Sequence, residues 1–328
     1  MADADGYRTR HQAPPPPPPR HQQRPNHHDR RAQLDDARGT LVLIGGGASP
    51  GGEALGTFIT LADAQAGGAG RIVGLTSASG DPTGSARAWR HDFAAAGVSR
   101  IEIPVVERRD QACDEALARR VREAQGIFLG GGDQVKLVAT LSGTPVGEAI
   151  YDAFCAGAVV CGTSAGAAAL TMTTLANGEV DETTGQLVEM YIGPGLGLLG
   201  HHTMIDTHFA ERRRLHRLFV AIAGYPELMG LGIDEDTALV VRGHLGTVVG
   251  KGGVTFVDGR DVHYDTAPGP GGGGPGQPPL TLSYLRVGIV GSGHVLNLAE
   301  RELEVVVARR RGESPDLPPA RGKAVERS

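Results

Sequence analysis

The sequence predicts an α/β fold: a mostly parallel sheet flanked by helices on both faces, with C-terminal β-hairpins added. Three observations lead there. Short β-branched runs, "TLVLIGGG", "RIVGLTSAS", "SRIEIPVV", "GIFLGGG" and "AVVCGTSAG", alternate with helix-like stretches. Four of the five close on Gly or Ser just before a helical pattern, which is the punctuation of βα units. Composition agrees, since 328 residues with 40% hydrophobic and 21% charged side chains suit a soluble globular domain, and 50 glycines imply many tight turns.

Taken in order, residues 1–38 hold a six-proline run, Pro14 to Pro19, among Arg, Asp, His and Gln, with almost nothing to bury. This leader is expected to be disordered. After the leader one domain is expected, in which right-handed crossovers would place helices on both sheet faces and gather functional loops at the carboxyl ends of the strands. Beyond residue 230, "GLGIDEDTALVVRGHLGTVVGKGGVTFVD" and "LSYLRVGIVGSGHVLNL" are strand-rich with glycine turns and read as hairpins appended to the main sheet. "APGPGGGGPGQPP" at 267–279 reads as a flexible insertion, and 310–328 as a disordered tail.

The formal charge of −5 gives no electrostatic reason to expect nucleic acid or an anionic membrane as partner. Cys113, Cys155 and Cys161 are odd in number and lack CxxC spacing, so neither a disulfide framework nor a zinc site is suggested. No stretch resembles a secretory signal or a membrane span, so the expected location is cytoplasmic. His201, His202, Asp206 and His208 form no metal set, because neighbours in an extended segment point to opposite sides. No metal is expected.

The strongest chemical signal is Gly162-Thr163-Ser164-Ala165-Gly166, between "AVV" and "AAALTM". Small residues around Ser164 permit a sharp strand-to-helix turn that lifts a hydroxyl clear of the sheet, with the Ala165 amide beside it to stabilise an oxyanion. A helix-capping serine is the competing reading. In "IFLGGGDQVKL", Gly130, Gly131 and Gly132 let the backbone approach a substrate carbonyl, and Gly131 is a second oxyanion donor. Neither that loop nor "LIGGGASPGGEAL" at 43–55 completes a dinucleotide fingerprint, so no organic cofactor is expected. Of the histidines, His208 is best placed as base, after a short apolar piece at the mouth of a helix. "GLGIDEDTALVV" offers Asp234, Glu235 and Asp236 as the carboxylate that orients it, and the residues alone do not choose among them.

At "GTSAGAA", "GGGDQ", Asp206 to Phe209 and "GIDEDTAL", in this order, the chain resembles the cyanophycinase family of serine peptidases. The resemblance spans about residues 39–309 and implies a flavodoxin-like, class I glutamine-amidotransferase-like fold. It implies Ser164 as nucleophile, His208 as base and Glu235 as the orienting carboxylate. Gln134, Asp206, Thr207, Arg212, Arg214 and Arg217 correspond to the substrate pocket. The implied substrate is cyanophycin, multi-L-arginyl-poly-L-aspartate, cut to β-aspartyl-arginine dipeptides without cofactor by a homodimer. Bidentate guanidinium groups suit an aspartate polymer.

Two features stand apart from the family pattern. Thr207 occupies a place where the family carries glutamine, and on a continuous helix Arg212 and Arg214 flank the stripe of Leu215, Leu218, Phe219 and Ile222 while Arg217 turns away. The alternatives are an aspartyl or isoaspartyl dipeptidase of the same superfamily acting on short β-aspartyl peptides, and an inactive polymer-binding module. The order Ser164, His208, Glu235 differs from the nucleophile, acid, histidine order of α/β-hydrolases.

Overall fold

A computed structural model describes residues 38–180, 187–200, 202–265 and 281–304. The proline-rich leader, the 267–279 insertion, the tail from 310 and His201 lie outside these. The main sheet is built on β1 (Thr40–Ile44), β2 (Ile72–Leu75), β3 (Ile101–Glu102), β4 (Gly126–Leu129) and β5 (Val159–Thr163), all parallel, in the order β1-β5-β4-β2-β3. Every residue of β1, β2 and β4 is buried. Unbroken apolar runs are what strands covered on both faces require.

The period of two sorts these strands between two cores. Leu41 and Leu43 face one side with Ile127, Leu129 and Val160; Val42 and Ile44 face the other with Phe128, Val159 and Cys161. Five helices and one short turn of helix follow the strands: α1 (Glu53–Gln65), α2 (Pro82–Ala95), α3 (Glu115–Arg122), α4 (Gln134–Leu141), α5 (Pro145–Ala156) and α6 (Ala165–Ala168). Asp81, Asp114, Asp133 and Thr144 cap α2, α3, α4 and α5 through their side chains. α1 packs Leu55, Phe58 and Ile59 on one face with Phe93 of α2, whereas α3 and α5 place Leu117, Val121, Val146 and Ile150 on the other.

The C-terminal strands divide between two sheets. β10 (Thr237–Arg242) and β11 (Leu245–Gly250) form a hairpin that extends the main sheet antiparallel to β1, followed by β16 (Val295–Asn297) and β17 (Glu302–Glu304). β8 (Thr203–Thr207), β9 (Met229–Ile233), β12 (Gly253–Asp258) and β15 (Arg286–Gly291) make a second sheet in the order β15-β12-β9-β8, with β8 parallel to β9. The chain changes sheet within Asp234–Asp236, between β9 and β10, and Asp236 there has a left-handed φ of 51°. β6 (Thr173–Val180) and β7 (Leu187–Pro194) pair as a separate antiparallel ribbon, as do the two-residue strands β13 (Tyr264–Asp265) and β14 (Leu282–Ser283). Among the described residues no helix is long and apolar enough to cross a membrane.

α7 (Leu215–Gly224) starts later than the sequence suggests. Residues 208–214 form turns in which His208 and Arg213 have positive φ, 51° and 52°. Helical spacing therefore does not govern Arg212 and Arg214, and Arg217 is the one of the three inside the helix.

Candidate active site

Three strand ends of the main sheet and two of the second meet at one cleft. The turn at Ser164 joins β5 directly to α6, and Ser164 adopts φ 53°, ψ −118°. A non-glycine residue rarely holds a positive φ without cause. The glycines on either side make it possible: a Cβ on Gly162 would lie 2.5 Å from the Gly166 carbonyl carbon, and one on Gly166 would lie 2.2 Å from the Leu129 oxygen. The Ser164 amide donates to the Ile44 carbonyl at 2.9 Å, tying the turn to the end of β1. Although Ser164 stands at the N-cap of α6, its side chain makes no capping hydrogen bond. Its Oγ lies 2.8 Å from His208 Nε2 instead.

His208 follows β8, and its amide donates to the Gly45 carbonyl at 2.6 Å. Its Nδ1 is 2.5 Å from Glu235 Oε1, so Nδ1–H donates to the carboxylate and Nε2 is left as the acceptor for the serine hydroxyl. The neighbouring carboxylates are engaged elsewhere. Asp234 accepts from the Ala210 and Gly253 amides at 3.1 and 2.9 Å. Asp236 pairs with Lys251 and faces Ser49. Of the three acids left open by sequence, Glu235 is the one that touches the imidazole.

The Gly45–Gly47 loop after β1 underlies both residues. A Cβ on Gly46, at φ 111°, would lie 2.2 Å from His208 Cε1, and the Gly46 carbonyl accepts from the Asp236 amide at 2.8 Å. A Cβ on Gly47 would stand 3.1 Å from Glu235 Oε2. The sequence reading weighed this loop only as a dinucleotide motif; the available signal was a second Gly-Gly-Gly closing a strand, as at Gly130–Gly132.

On the other side of Ser164, a Cβ on Gly131 would lie 3.2 Å from the serine Cβ. Among the described residues neither the Gly131 nor the Ala165 amide donates to a protein acceptor. Two free amides flanking a serine Oγ can hold an oxyanion. The cleft, about 520 Å³, is walled by Leu55, Trp89, Phe93 and Phe128 and carries Arg212 and Asp92 as its charged lining. Trp89 and Asp92, both on α2, were not foreseen from the sequence.

The other pocket residues expected from the resemblance lie behind this surface. Asp206 is 2% exposed and accepts from Arg214 at 3.2 Å and from Arg217 Nε at 2.9 Å. Arg214 also donates to the Thr207 carbonyl at 2.6 Å, and Thr207 itself is buried. Arg217 reaches back to the Gly178 carbonyl of β6 at 2.9 Å. Helical spacing put Arg217 away from the apolar stripe, yet the carboxylate of Asp206 draws it in. Gln134 donates to the Leu175 and Ala176 carbonyls at 2.8 and 2.6 Å. Burial pulls the Arg214 guanidinium down to about 10; Asp206 resists that shift while Arg217 and Arg212 add to it, and the group stays charged at neutral pH.

A sequence model of peptidase family S51 matches residues 41–249, a span that takes in every residue of this site. The chain belongs to peptidase family S51. This S51 peptidase is 37% identical over 278 residues to the cyanophycinase of Trichormus variabilis, covering 82% of this chain and 89% of that protein. It is 35% identical over 280 residues to the cyanophycinase of Synechococcus elongatus, with 81% of each chain covered. In fold it is similar to the crystal structure of a peptidase from an acI-B1 Actinobacterium, with a TM-score of 0.57 at 20% identity, covering 80% of this chain and 98% of that one.

Proposed function

We propose that this S51 peptidase is a serine exopeptidase that hydrolyses cyanophycin to β-aspartyl-arginine dipeptides. The observation that carries the reading is the hydrogen-bonded series Ser164 Oγ, His208 Nε2, His208 Nδ1, Glu235 Oε1, at 2.8 and 2.5 Å, in a cleft that also presents Arg212. The identity to cyanophycinases over four fifths of the chain supports the substrate class. We propose further that it acts in the cytoplasm and, on the strength of the family resemblance, as a homodimer.

In this reading His208 Nε2 takes the proton of Ser164 as Oγ bonds to the carbonyl carbon of an aspartate main-chain amide. Glu235 stabilises the imidazolium, and the Gly131 and Ala165 amides hold the negative oxygen. Collapse breaks the C–N bond, and the leaving amine takes the proton from His208. Water then attacks the acyl ester, giving its proton to His208, and Ser164 leaves as the restored hydroxyl. Arg212 is placed to grip a substrate carboxylate.

Mass spectrometry of products from purified protein and cyanophycin tests reaction and substrate together. Dipeptides are expected from the wild type, and Ser164→Ala is expected to reduce their release by ~10³-fold or more with the fold retained. Absence of dipeptide from the folded wild type, or undiminished release from Ser164→Ala, overturns the reading.

A further inference from the structure

Each arginyl branch of the polymer named above is charged twice over, with a carboxylate and a guanidinium, since the aspartate side-chain carboxyl is spent in the β-amide bond. Arg212 answers only the first. The opposite charge on the cleft belongs to Asp92, half-buried on α2, whose carboxylate has no hydrogen-bond or ion-pair partner among the described residues. Arg212 likewise has no side-chain partner there, and the two do not pair with each other. Three residues before Asp92, and so on the same side of the helix, stands Trp89, the chain's single tryptophan. Its ring packs edge-on against Phe128 with centroids 5.1 Å apart, and it fills the space where a Cβ on Gly130 would lie 1.9 Å from it. The glycine loop beside the nucleophile is thus shaped around a fixed aromatic wall.

A rigid indole next to a free carboxylate suits one chemical group above others, a planar cation. Guanidinium can lie against the ring by cation–π attraction while bonding to the carboxylate through its N–H fork. We propose that Trp89 and Asp92 form the subsite for the arginyl side chain of the substrate, opposite Arg212 on the same cleft, and that this pair sets the preference for arginine-bearing aspartate chains over bare ones. The inference rests on the proposed function and adds to it the residues that read the side chain.

Trp89 supplies its own probe, since all tryptophan fluorescence of the chain comes from this wall. In a Ser164→Ala background, titration with a two-unit β-aspartyl-arginine peptide is expected to change that fluorescence. The same peptide carrying citrulline, which keeps the shape and removes the charge, is expected to bind ~10-fold or more weakly. Adding Asp92→Asn should weaken the arginine peptide by a similar factor and leave the citrulline peptide within about twofold. In the Ser164 enzyme, Asp92→Asn should raise KM for cyanophycin and change kcat by less than about threefold, whereas misfolding would lower kcat as well. Equal affinity for the two peptides, or an unchanged arginine affinity in Asp92→Asn, overturns the subsite while dipeptide release by the wild type leaves the function standing. A folded wild type that releases no dipeptide overturns both.

Discussion

Ser164 is held by backbone rather than by its own side chain: φ is 53°, the amide is fixed to Ile44, and Oγ is turned to His208 at 2.8 Å instead of to the helix it begins. The same economy places His208, whose ring occupies the position that a Cβ of Gly46 would need. Gly46→Ala is therefore expected to push the imidazole off line and lower kcat by ~10²-fold, the scale of a 1 Å misplacement, with a smaller loss of thermal stability. Dipeptide release measured beside a melting curve checks this; unchanged kcat would show that the ring has room to spare. At this scale the sequence was legible where chemistry is local. GxSxG announces a strained serine because small residues are needed within a few positions of it. Asp234, Glu235 and Asp236 could not be separated by spacing, since their roles depend on where two strands from different sheets converge, and only the family resemblance picked out Glu235.

Among the elements, β6 is anchored from two helices, by Gln134 of α4 at Leu175 and Ala176 and by Arg217 of α7 at Gly178. Gln134→Ala removes two donors and is expected to loosen the ribbon locally by roughly 1–2 kcal/mol, seen as faster amide exchange over 173–178 with global stability little changed. Elsewhere, fully buried Asp258 at the end of β12 joins that strand to Arg301, which lies between β16 and β17, at 2.7 Å, and to Arg260 at 3.0 Å. Burial pushes its carboxyl up, but the hydrogen bonds from Arg260 and Arg301 outweigh that and hold it below its ordinary value. A depressed carboxyl stabilises the fold above its ordinary pKa of ~3.9, and the gain is lost as pH falls through the lower folded value. The stability advantage of wild type over Asp258→Asn should then be flat from neutral pH to about pH 5 and shrink below about pH 4 in denaturant titrations. An advantage that persisted at the acid end would contradict the shift. The sequence revealed the βα units but misplaced the onset of α7, because the turns at 208–214 are set by tertiary contacts to Gly45, Asp206 and Asp234 that no local pattern contains.

In the whole molecule the two sheets share one apolar core. Leu41, Leu43, Leu239 and Val248 of the main sheet pack in the same cluster as Ile205, Leu231, Ile233 and Val254 of the second. The second sheet was not read from the sequence, as β9 and β10 are divided only by Asp234–Asp236 and look like successive strands of one hairpin series. A shared core makes separation of the sheets costly, so activity and far-UV circular dichroism should fall together in one urea transition. Activity lost well ahead of ellipticity would mean that the sheets come apart on their own. Because Ser164 ends a strand of one sheet while His208 and Glu235 end strands of the other, the order of synthesis has a meaning for this hydrolase. In the proposed mechanism Ser164 leaves the ribosome first, as a hydroxyl with no base, and stays chemically silent until the downstream strands dock beside it. On that mechanism, latency during biogenesis comes from topology.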